Sequence, residues 1–353
     1  MLSEVITFIA LAFTLVYCQK IVVWTIIWAK RKKVAKNALT RPEVSVVVAI
    51  HNEAKNVTNL VISLLQQTEQ PKQIVFVLDY CTDNTLSVLQ PFADRITIVE
   101  NYGPRGKKYA QRLGVEMVQA GYVVVTDADC VMNSNWISAI ADNIANADLL
   151  ISPVTMKAND KSVAQQLMEV EFLALQIITA TTALKQKATM CNGANLAFKR
   201  SVYLQHNSHT NYVSGDDMFL LSETKQNGGQ IVYNLSPNAL VTTSCPASVW
   251  QYYKQRSRWL RKASGYTDSD VKWLSAVVFI GNVAWPVCLF FSPLRALICF
   301  CLKTIAELLM LRIAQRHWGV KCSVPIIILL AIVYPFNLLA ISLLSVFRNK
   351  HKW

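Results

Sequence analysis

The sequence predicts an α/β domain on a mostly parallel sheet, joined to one N-terminal and about three C-terminal helices that span a membrane or lie at its surface. The grounds are short continuous β-type runs that each end in polar residues, helical segments between them, and an unusually apolar composition. Val44–Ile50, Ile74–Leu78 and Tyr122–Val125 are unbroken Val/Ile-rich runs, the pattern of strands buried on both faces. A shorter strand is expected at Ile96–Val99. Helical spacing fills Val57–Gln67, Leu86–Phe92 (with Asp83 or Asn84 as the cap) and Tyr109–Ala120, the last preceded by the loop Gly103–Lys108. Strand and helix alternating at these lengths give right-handed βαβ units.

Composition asks for more than this domain. Of 353 residues, 53% are hydrophobic and 16% charged, and mean hydropathy is +0.29. That is too apolar for a soluble protein and too polar for a pure membrane bundle. The net charge of +13 points to cytoplasmic flanks and anionic lipid rather than to nucleic acid, and no nucleic-acid partner is expected. The 9 cysteines lack C-x-x-C pairing and sit in apolar segments, so they read as reduced thiols, neither a disulfide framework nor a zinc site.

Residues 5–28 are apolar apart from Gln19 and Lys20 and long enough to span a bilayer. Trp24 and Trp28 stand near one end as interfacial anchors would, and Lys30, Arg31, Lys32, Lys33 and Lys36 follow. Without a small-residue cleavage site, the segment reads as a retained anchor, with the basic run and the next domain in the cytoplasm. The expected division is an anchor and basic flank at 1–36, the α/β domain at 37–265, and a C-terminal membrane region at 266–353. In that region Trp273–Phe291 carries Pro286, and Leu294–Leu311 carries Lys303 and Glu307 at pairing distance on one helix face. The basic stretch Arg312–Lys321 follows, and then Ser323–Phe347 with Pro325, Pro335 and Asn337. Three spans are preferred over a hairpin at Pro335, which would return the basic tail Arg348–Lys352 to the inside.

Polar residues collect at three strand ends: Asn52 and Glu53, Asp79 and Asp83, Asp127 and Asp129. This is one rim of one sheet, where open α/β sheets bind ligands. Side chains two apart on extended backbone share a side, so Asp127 and Asp129 converge. Their repulsion is relieved by a hard cation, Mg²⁺ or Mn²⁺, which would carry substrate phosphates. A simple turn after the strand is the competing reading, and D-x-D alone does not decide. Ser162–Lys185, with Glu169 and Glu171, is either an amphipathic helix near the membrane or a core-packing helix. Asp216 and Asp217 open a helix at Met218–Leu221, as a base or as N-caps. Trp250–Ala263 interleaves Tyr252, Tyr253, Lys254, Arg256, Arg258, Trp259, Arg261 and Lys262, a pattern shared by interfacial helices and nucleic-acid surfaces.

These stretches together resemble glycosyltransferase family 2. Val44–Glu53 looks like its opening strand followed by His-Asn-Glu. Asp79–Thr85 resembles its Asp-Asp-x-Ser-Thr-Asp-Asn-Thr turn, with Leu78 where the first Asp often stands. Asp127-Ala128-Asp129 matches its D-x-D, and Gly193–Phe198 its Gly-x-Asn-x-Ala-Phe. Gly215-Asp216-Asp217 resembles its Glu-Asp base motif with Asp216 replacing Glu, and Gln255-Arg256-Ser257-Arg258-Trp259 matches Q-x-x-R-W. The likeness runs through roughly residues 40–265 in the family's order.

The resemblance implies a GT-A fold, Rossmann-like, and an inverting hexosyl transfer from a UDP-sugar in a multi-pass protein of the cell (inner or plasma) membrane. His51, Glu53, Asp79, Lys107 and Asp127 would bind the nucleotide-sugar, with Asp79 facing uracil and Lys107 reaching a phosphate. From the residues alone, Asp79 is equally a turn-former and Lys107 a solvated lysine. Asp129 would hold the cation, with Asp127 on the metal or the sugar hydroxyls. Asp217 would be the general base, with Asp216 the alternative. Asn195, Gln255, Arg258 and Trp259 would serve the acceptor and diphosphate: Trp259 stacks on the acceptor, while Arg258 or Arg256 stabilises diphosphate charge. Q-x-x-R-W occurs in processive polysaccharide synthases and in ceramide glucosyltransferase-like enzymes. The few expected spans make a thin channel, so a lipid or lipid-linked acceptor is expected, with a processive β-polysaccharide synthase as the alternative. A non-catalytic membrane protein that binds nucleotide-sugar or anionic lipid is the reading from another class. No P-loop supports a nucleotidyl- or phosphotransferase.

Overall fold

The structure is a computed structural model describing residues 1–31, 41–145, 147–160, 162–206, 216–263 and 265–347. Lys32, Lys33 and Lys36 of the basic run, Gly215 and the tail Arg348–Lys352 lie outside the described residues. In chain order the elements begin with α1 (Leu2–Ala29), β1 (Val44–Ile50), α2 (Val57–Leu65), β2 (Ile74–Leu78), α3 (Thr85–Leu89), β3 (Thr97–Glu100), α4 (Lys107–Met117) and β4 (Tyr122–Val125). They continue with β5 (Val131–Met132), α5 (Trp136–Ile144), β6 (Leu149–Ile151), β7 (Val154–Lys157), α6 (Val163–Leu184), β8 (Leu196–Lys199), α7 (Arg200–Gln205), α8 (Asp216–Gln226), β9 (Ile231–Tyr233) and β10 (Val241–Ser244). α9 (Val249–Ala263), α10 (Ser269–Leu289), α11 (Pro293–Trp318) and α12 (Val324–Phe347) follow.

The chain divides into two compact units. Among the described residues, one comprises those of 41–155 and 183–244; the other comprises those of 1–31, 156–182 and 245–347. This differs from the expected contiguous span 37–265, because α6 as far as Thr182 and all of α9 group with the terminal helices.

The first unit is built on a seven-stranded sheet of order β3-β2-β1-β4-β8-β6-β9. β3, β2, β1 and β4 run parallel, as the continuous apolar runs of β2, β1 and β4 predict, with Val46 opposite both Ile74 and Val124. β8 enters antiparallel between β4 and β6, and β9 runs parallel to β6. Val46, Val47, Val48, Val75, Phe76 and Val77 are fully buried. A second, three-stranded sheet has the order β5-β10-β7, with Val241 opposite Met132. α4 starts two residues earlier than its spacing predicts, because Gly106 adopts φ 136°, a value open to glycine, and turns the chain into the helix. Further along α4, Gly114 lies so close to the sheet that an added Cβ would stand 2.5 Å from Val47 Cγ1 and 3.0 Å from Val77 Cγ2.

In the second unit α1 packs on α10 and α11, and α9 packs on α12. Gly281 lets α1 approach α10: a Cβ there would meet the Tyr17 ring at 2.5 Å, the small-residue contact typical of membrane helix pairs. α1, α6, α10 and α12 are long and apolar enough to cross a membrane by length and composition. The apolar window of α6 is 67% buried, against 28%, 28% and 22% for the other three, so α6 is the core-packing helix of its two expected forms. α11 carries Arg295, Lys303, Glu307, Arg312 and Arg316 and is not among them. The expected Lys303–Glu307 pair forms at 2.8 Å, and Glu307 also accepts from Tyr17 Oη at 2.6 Å. α12 runs unbroken through Pro335, which leaves three C-terminal helices and no hairpin at that proline. Trp24 and Trp28 are buried rather than standing free as anchors: Trp28 packs on Trp318 with ring centres 4.8 Å apart and meets His317 edge-on. All nine cysteines are free thiols.

Gly114→Ala tests the packing of α4 on the sheet. Helix propensity favours alanine by about 1 kcal/mol, but overpacking against backbone-anchored Val47 costs about 1–3 kcal/mol. A net loss of stability is expected, read as a lower midpoint in thermal unfolding, with Gly114→Val lower again.

Candidate active site

The carboxyl ends of β1, β2 and β4 carry the expected rim, and short hydrogen bonds lace their loops together. Asn52 sits in the left-handed region at φ 58°, which asparagine tolerates, and its Oδ1 accepts from the Thr82 and Asp83 amides at 2.7 and 3.3 Å. Asp83 accepts from the Ala54 amide at 3.1 Å and from the Thr85 amide at 3.0 Å, so of the two expected caps it is Asp83 that binds the start of α3. Desolvation works against ionised Asp83 but is outweighed by these bonds, and its pKa is lowered. The Glu53 amide donates to Thr85 Oγ1 at 3.0 Å. The chain therefore holds the β1 and β2 loops in one fixed relation.

His51 Nδ1 lies 2.7 Å from the Asp79 carbonyl oxygen, which can only accept, so Nδ1 carries the proton. Nε2 is then the acceptor for Arg105 Nη2 at 3.1 Å. Asp79 is 1% exposed. Its carboxylate accepts from Asn101 Nδ2 at 2.8 Å and from the Gly106 amide at 2.9 Å. Asp79 thus anchors the loop that leads into α4, and in this state it lies beneath that loop rather than open to a base.

Asp127 and Asp129 follow β4. Lys107, the first residue of α4, binds Asp127 through Nζ. Burial disfavours the Lys107 ammonium, but the Asp127 charge, its hydrogen bond and the Asp217 charge outweigh that and raise the pKa. Lys107 therefore senses Asp127 and Asp217 together. Asp129 Oδ2 accepts from Thr243 Oγ1 at 2.7 Å. Burial and the neighbouring Asp127 charge raise the Asp129 pKa against the opposing effects of Thr243 and Lys107. Glu53 is half-buried and raised as well, first by desolvation and then by the charges of Asp129, Asp127 and Asp83, against the bond from Asn56. The site is short of positive charge.

Asp217, in the first turn of α8, accepts from the Gly193 amide at 3.1 Å and from its neighbour Met218 at 2.9 Å. The Cys191 thiol donates to its backbone carbonyl at 3.2 Å. The Gly193–Phe198 motif therefore carries the amide that orients Asp217. Asp216 is half-buried in the same turn. Asn195 corrects the expectation of an acceptor contact. It is fully buried, accepts from Trp136 Nε1 at 3.1 Å, and donates to the Pro153 and Ala239 carbonyls at 2.8 and 2.7 Å. Its amide is spent on bracing the strand-end loops.

The Q-x-x-R-W segment lies on α9, in the other unit. Gln255 and Trp259 are half-buried and Arg258 is exposed. Arg256, the alternative for diphosphate charge, is buried and bound to Glu171, so it is not available to a phosphate. Thr243, Arg105 and Glu171 had no local signal in the sequence, since each acts on a residue far away along the chain.

Among the described residues no three His, Cys, Asp or Glu side chains converge as a self-sufficient metal cage. The residues nonetheless fit Mg²⁺ or Mn²⁺, which take one or two carboxylates and complete their shells with water and substrate phosphates. The raised Asp129 beside Asp127 is a donor pair whose repulsion a divalent cation relieves. Proton and cation compete for these carboxylates, so Mn²⁺ affinity should climb with pH as Asp129 loses a proton held above the ordinary aspartate range. The expected slope is up to about one decade per pH unit below that point, flattening above it and shallower in Asp129→Asn, read by calorimetry.

The glycosyl transferase family 2 profile matches residues 45–206. Glycosyltransferase GlyG of Streptococcus pneumoniae is 27% identical over 108 residues, 30% of this chain and 36% of that protein. Poly-beta-1,6-N-acetyl-D-glucosamine synthase of Staphylococcus aureus is 21% identical over 222 residues, 61% of this chain and 53% of that one. The matches thus span about half or less of the length of these curated relatives. The solved structure of the mannosyltransferase PcManGT from Pyrobaculum calidifontis, in complex with GDP-Man and Mn²⁺, superposes with a TM-score of 0.61 over 98% of both chains at 18% identity, a likeness of fold. Strand order and the solved neighbour agree on a GT-A fold, and residues 45–206 are similar to the glycosyltransferase family 2 profile.

Proposed function

We propose that the protein is a membrane-anchored inverting glycosyltransferase. It moves a hexosyl group from a UDP-sugar to a lipid or lipid-linked acceptor at the cytoplasmic face of the cell membrane, with Mg²⁺ or Mn²⁺ as cofactor. The observation that carries this reading is the meeting of Lys107 with Asp127, beside Asp129 and within the field of Asp217.

Each group has a task that its surroundings suit. Asp127 and Asp129 would hold the cation, which as a Lewis acid stabilises the diphosphate leaving group. Lys107 would exchange Asp127 for a donor phosphate once the cation neutralises that carboxylate. Arg105, which donates to His51, would border the nucleotide with His51 and Glu53, and Asp79 would support it from below through the Asn101–Gly106 loop. Asp217, oriented by the Gly193 amide, would take the proton of the acceptor hydroxyl as its oxygen bonds to the anomeric carbon. The bond from that carbon to the diphosphate oxygen breaks on the opposite side, UDP leaves with the electron pair, and one displacement inverts the centre. Trp259 and Gln255 would meet the acceptor, and Arg258 the diphosphate.

A processive β-polysaccharide synthase is the second reading, favoured by the likeness to poly-beta-1,6-N-acetyl-D-glucosamine synthase over 222 residues. Because the fold neighbour holds GDP-Man, the donor test covers both bases. Membranes carrying the protein are incubated with labelled UDP- and GDP-sugars. One organic-soluble product from a UDP-sugar is expected, whereas a ladder of sizes would establish polymerisation and exclusive use of a GDP-sugar would overturn the donor assignment. Asp217→Asn should lower transfer by about 10²–10⁴-fold with UDP binding unchanged. Normal turnover by that variant would sink the base role, and an intact biological role without turnover would favour a non-catalytic binding protein.

A further inference from the structure

Arg256 lies inside the Q-x-x-R-W segment but is not one of its defining letters, and it is the most heavily engaged side chain on α9. Its Nε and Nη2 donate to the two carboxylate oxygens of Glu171 on α6 at 3.1 and 2.5 Å, and both side chains are nearly buried, at 5% and 6% exposure. Its remaining arm, Nη1, donates to Gln255 Oε1 at 3.2 Å. The face of the guanidinium lies 4.2 Å from the centre of the Trp259 ring, with Tyr252 at 5.1 Å and Phe172 at 5.8 Å. One buried cation therefore touches both half-buried members of the motif, Gln255 and Trp259.

A buried ion pair is a poor way to gain stability, because desolvation cancels most of the attraction and an apolar replacement of equal volume is often as stable. Its value here is geometric. A planar fork fixed on two oxygens has no rotational freedom left, so whatever leans on it is fixed too. With Oε1 taken by Arg256, the NH₂ group is the part of the Gln255 amide left to donate to a ligand. With one face of the indole covered by the guanidinium, the other is the face that Trp259 would give to a sugar ring.

We infer that Arg256, clamped by Glu171, is a positioning residue that sets the Gln255 amide and the Trp259 ring for the acceptor. This rests on the proposed reading of the Q-x-x-R-W segment as acceptor-facing. A lysine cannot replace the fork, since it carries a point charge without the planar face or the paired donors.

The test is a double-mutant cycle on the full chain in detergent micelles. It uses the donor that supports turnover and titrated total membrane lipid from the expressing cells as acceptor. Arg256→Lys and Glu171→Gln should each raise the apparent acceptor KM about tenfold, leaving the donor KM and the rate of donor hydrolysis by water unchanged. Trp259→Ala should raise the acceptor KM as well, and adding Arg256→Lys to it should cost less than about a further twofold, because the two act through one element. Arg256→Lys keeps a cation on Glu171, and an unchanged thermal midpoint separates positioning from folding. Fully additive losses, or equal losses in transfer and donor hydrolysis, would overturn the inference alone. An unchanged acceptor KM in Trp259→Ala would instead remove the acceptor reading of the segment and the inference with it.

Discussion

Like charges crowded onto one rim of a parallel sheet are the constraint from which the rest of the site follows. The register of β1 against β2 and β4 brings the carboxyl ends of the three strands together, and each end carries acids. Two carboxylates about 4 Å apart repel by roughly 4 kcal/mol at an effective dielectric near 20. The fold relieves part of this through Lys107 on Asp127, Thr243 on Asp129 and the amides that hold Asp79, Asp83 and Asp217. Relief is incomplete: burial first, and the neighbouring acids after it, keep Glu53 and Asp129 raised. Surplus negative charge suits a divalent cation, and under the proposed reading a diphosphate would be held through it.

The parts of this arrangement that depend on neighbours in sequence could be read from the chain. β1, β2 and β4 announce themselves as continuous apolar runs, and the i, i+2 spacing of Asp127 and Asp129 specifies convergence on extended backbone. The i, i+4 spacing of Lys303 and Glu307 likewise specified their pair. Long-range interactions were not legible. Nothing local says that β8 inserts antiparallel beside β4, that Thr243 reaches Asp129, or that Glu171 pairs with Arg256. Asn195 shows the limit of motif reading, because the sequence marks the residue as special without revealing that its amide is fully buried in bracing contacts. Trp24 and Trp28 show the same for composition: tryptophans at a helix end look like interfacial anchors until the partner helix is known.

The helical unit includes helices long and apolar enough to cross a membrane, and its packing follows different rules. Gly281 against Tyr17 brings α1 close to α10, and the Lys303–Glu307–Tyr17 cluster pairs charges that hydrocarbon would not tolerate singly. These contacts account for Lys303 and Glu307, two of the charges that break the apolar pattern of α11. The same logic, a polar group kept only where its partner is fixed, governs Glu171 and Arg256, where the fixed pair has motif residues leaning upon it.

The central claim is that the rim acids and one cation together make the diphosphate site. Its most direct measurement is calorimetric titration of UDP into the full chain with Mn²⁺ and with chelator, in the native protein and in Asp127→Asn and Asp129→Asn. The account predicts UDP binding that requires Mn²⁺ and is weakened at least about tenfold by either substitution. UDP binding of equal affinity in chelator, or indifferent to both carboxylates, would contradict it.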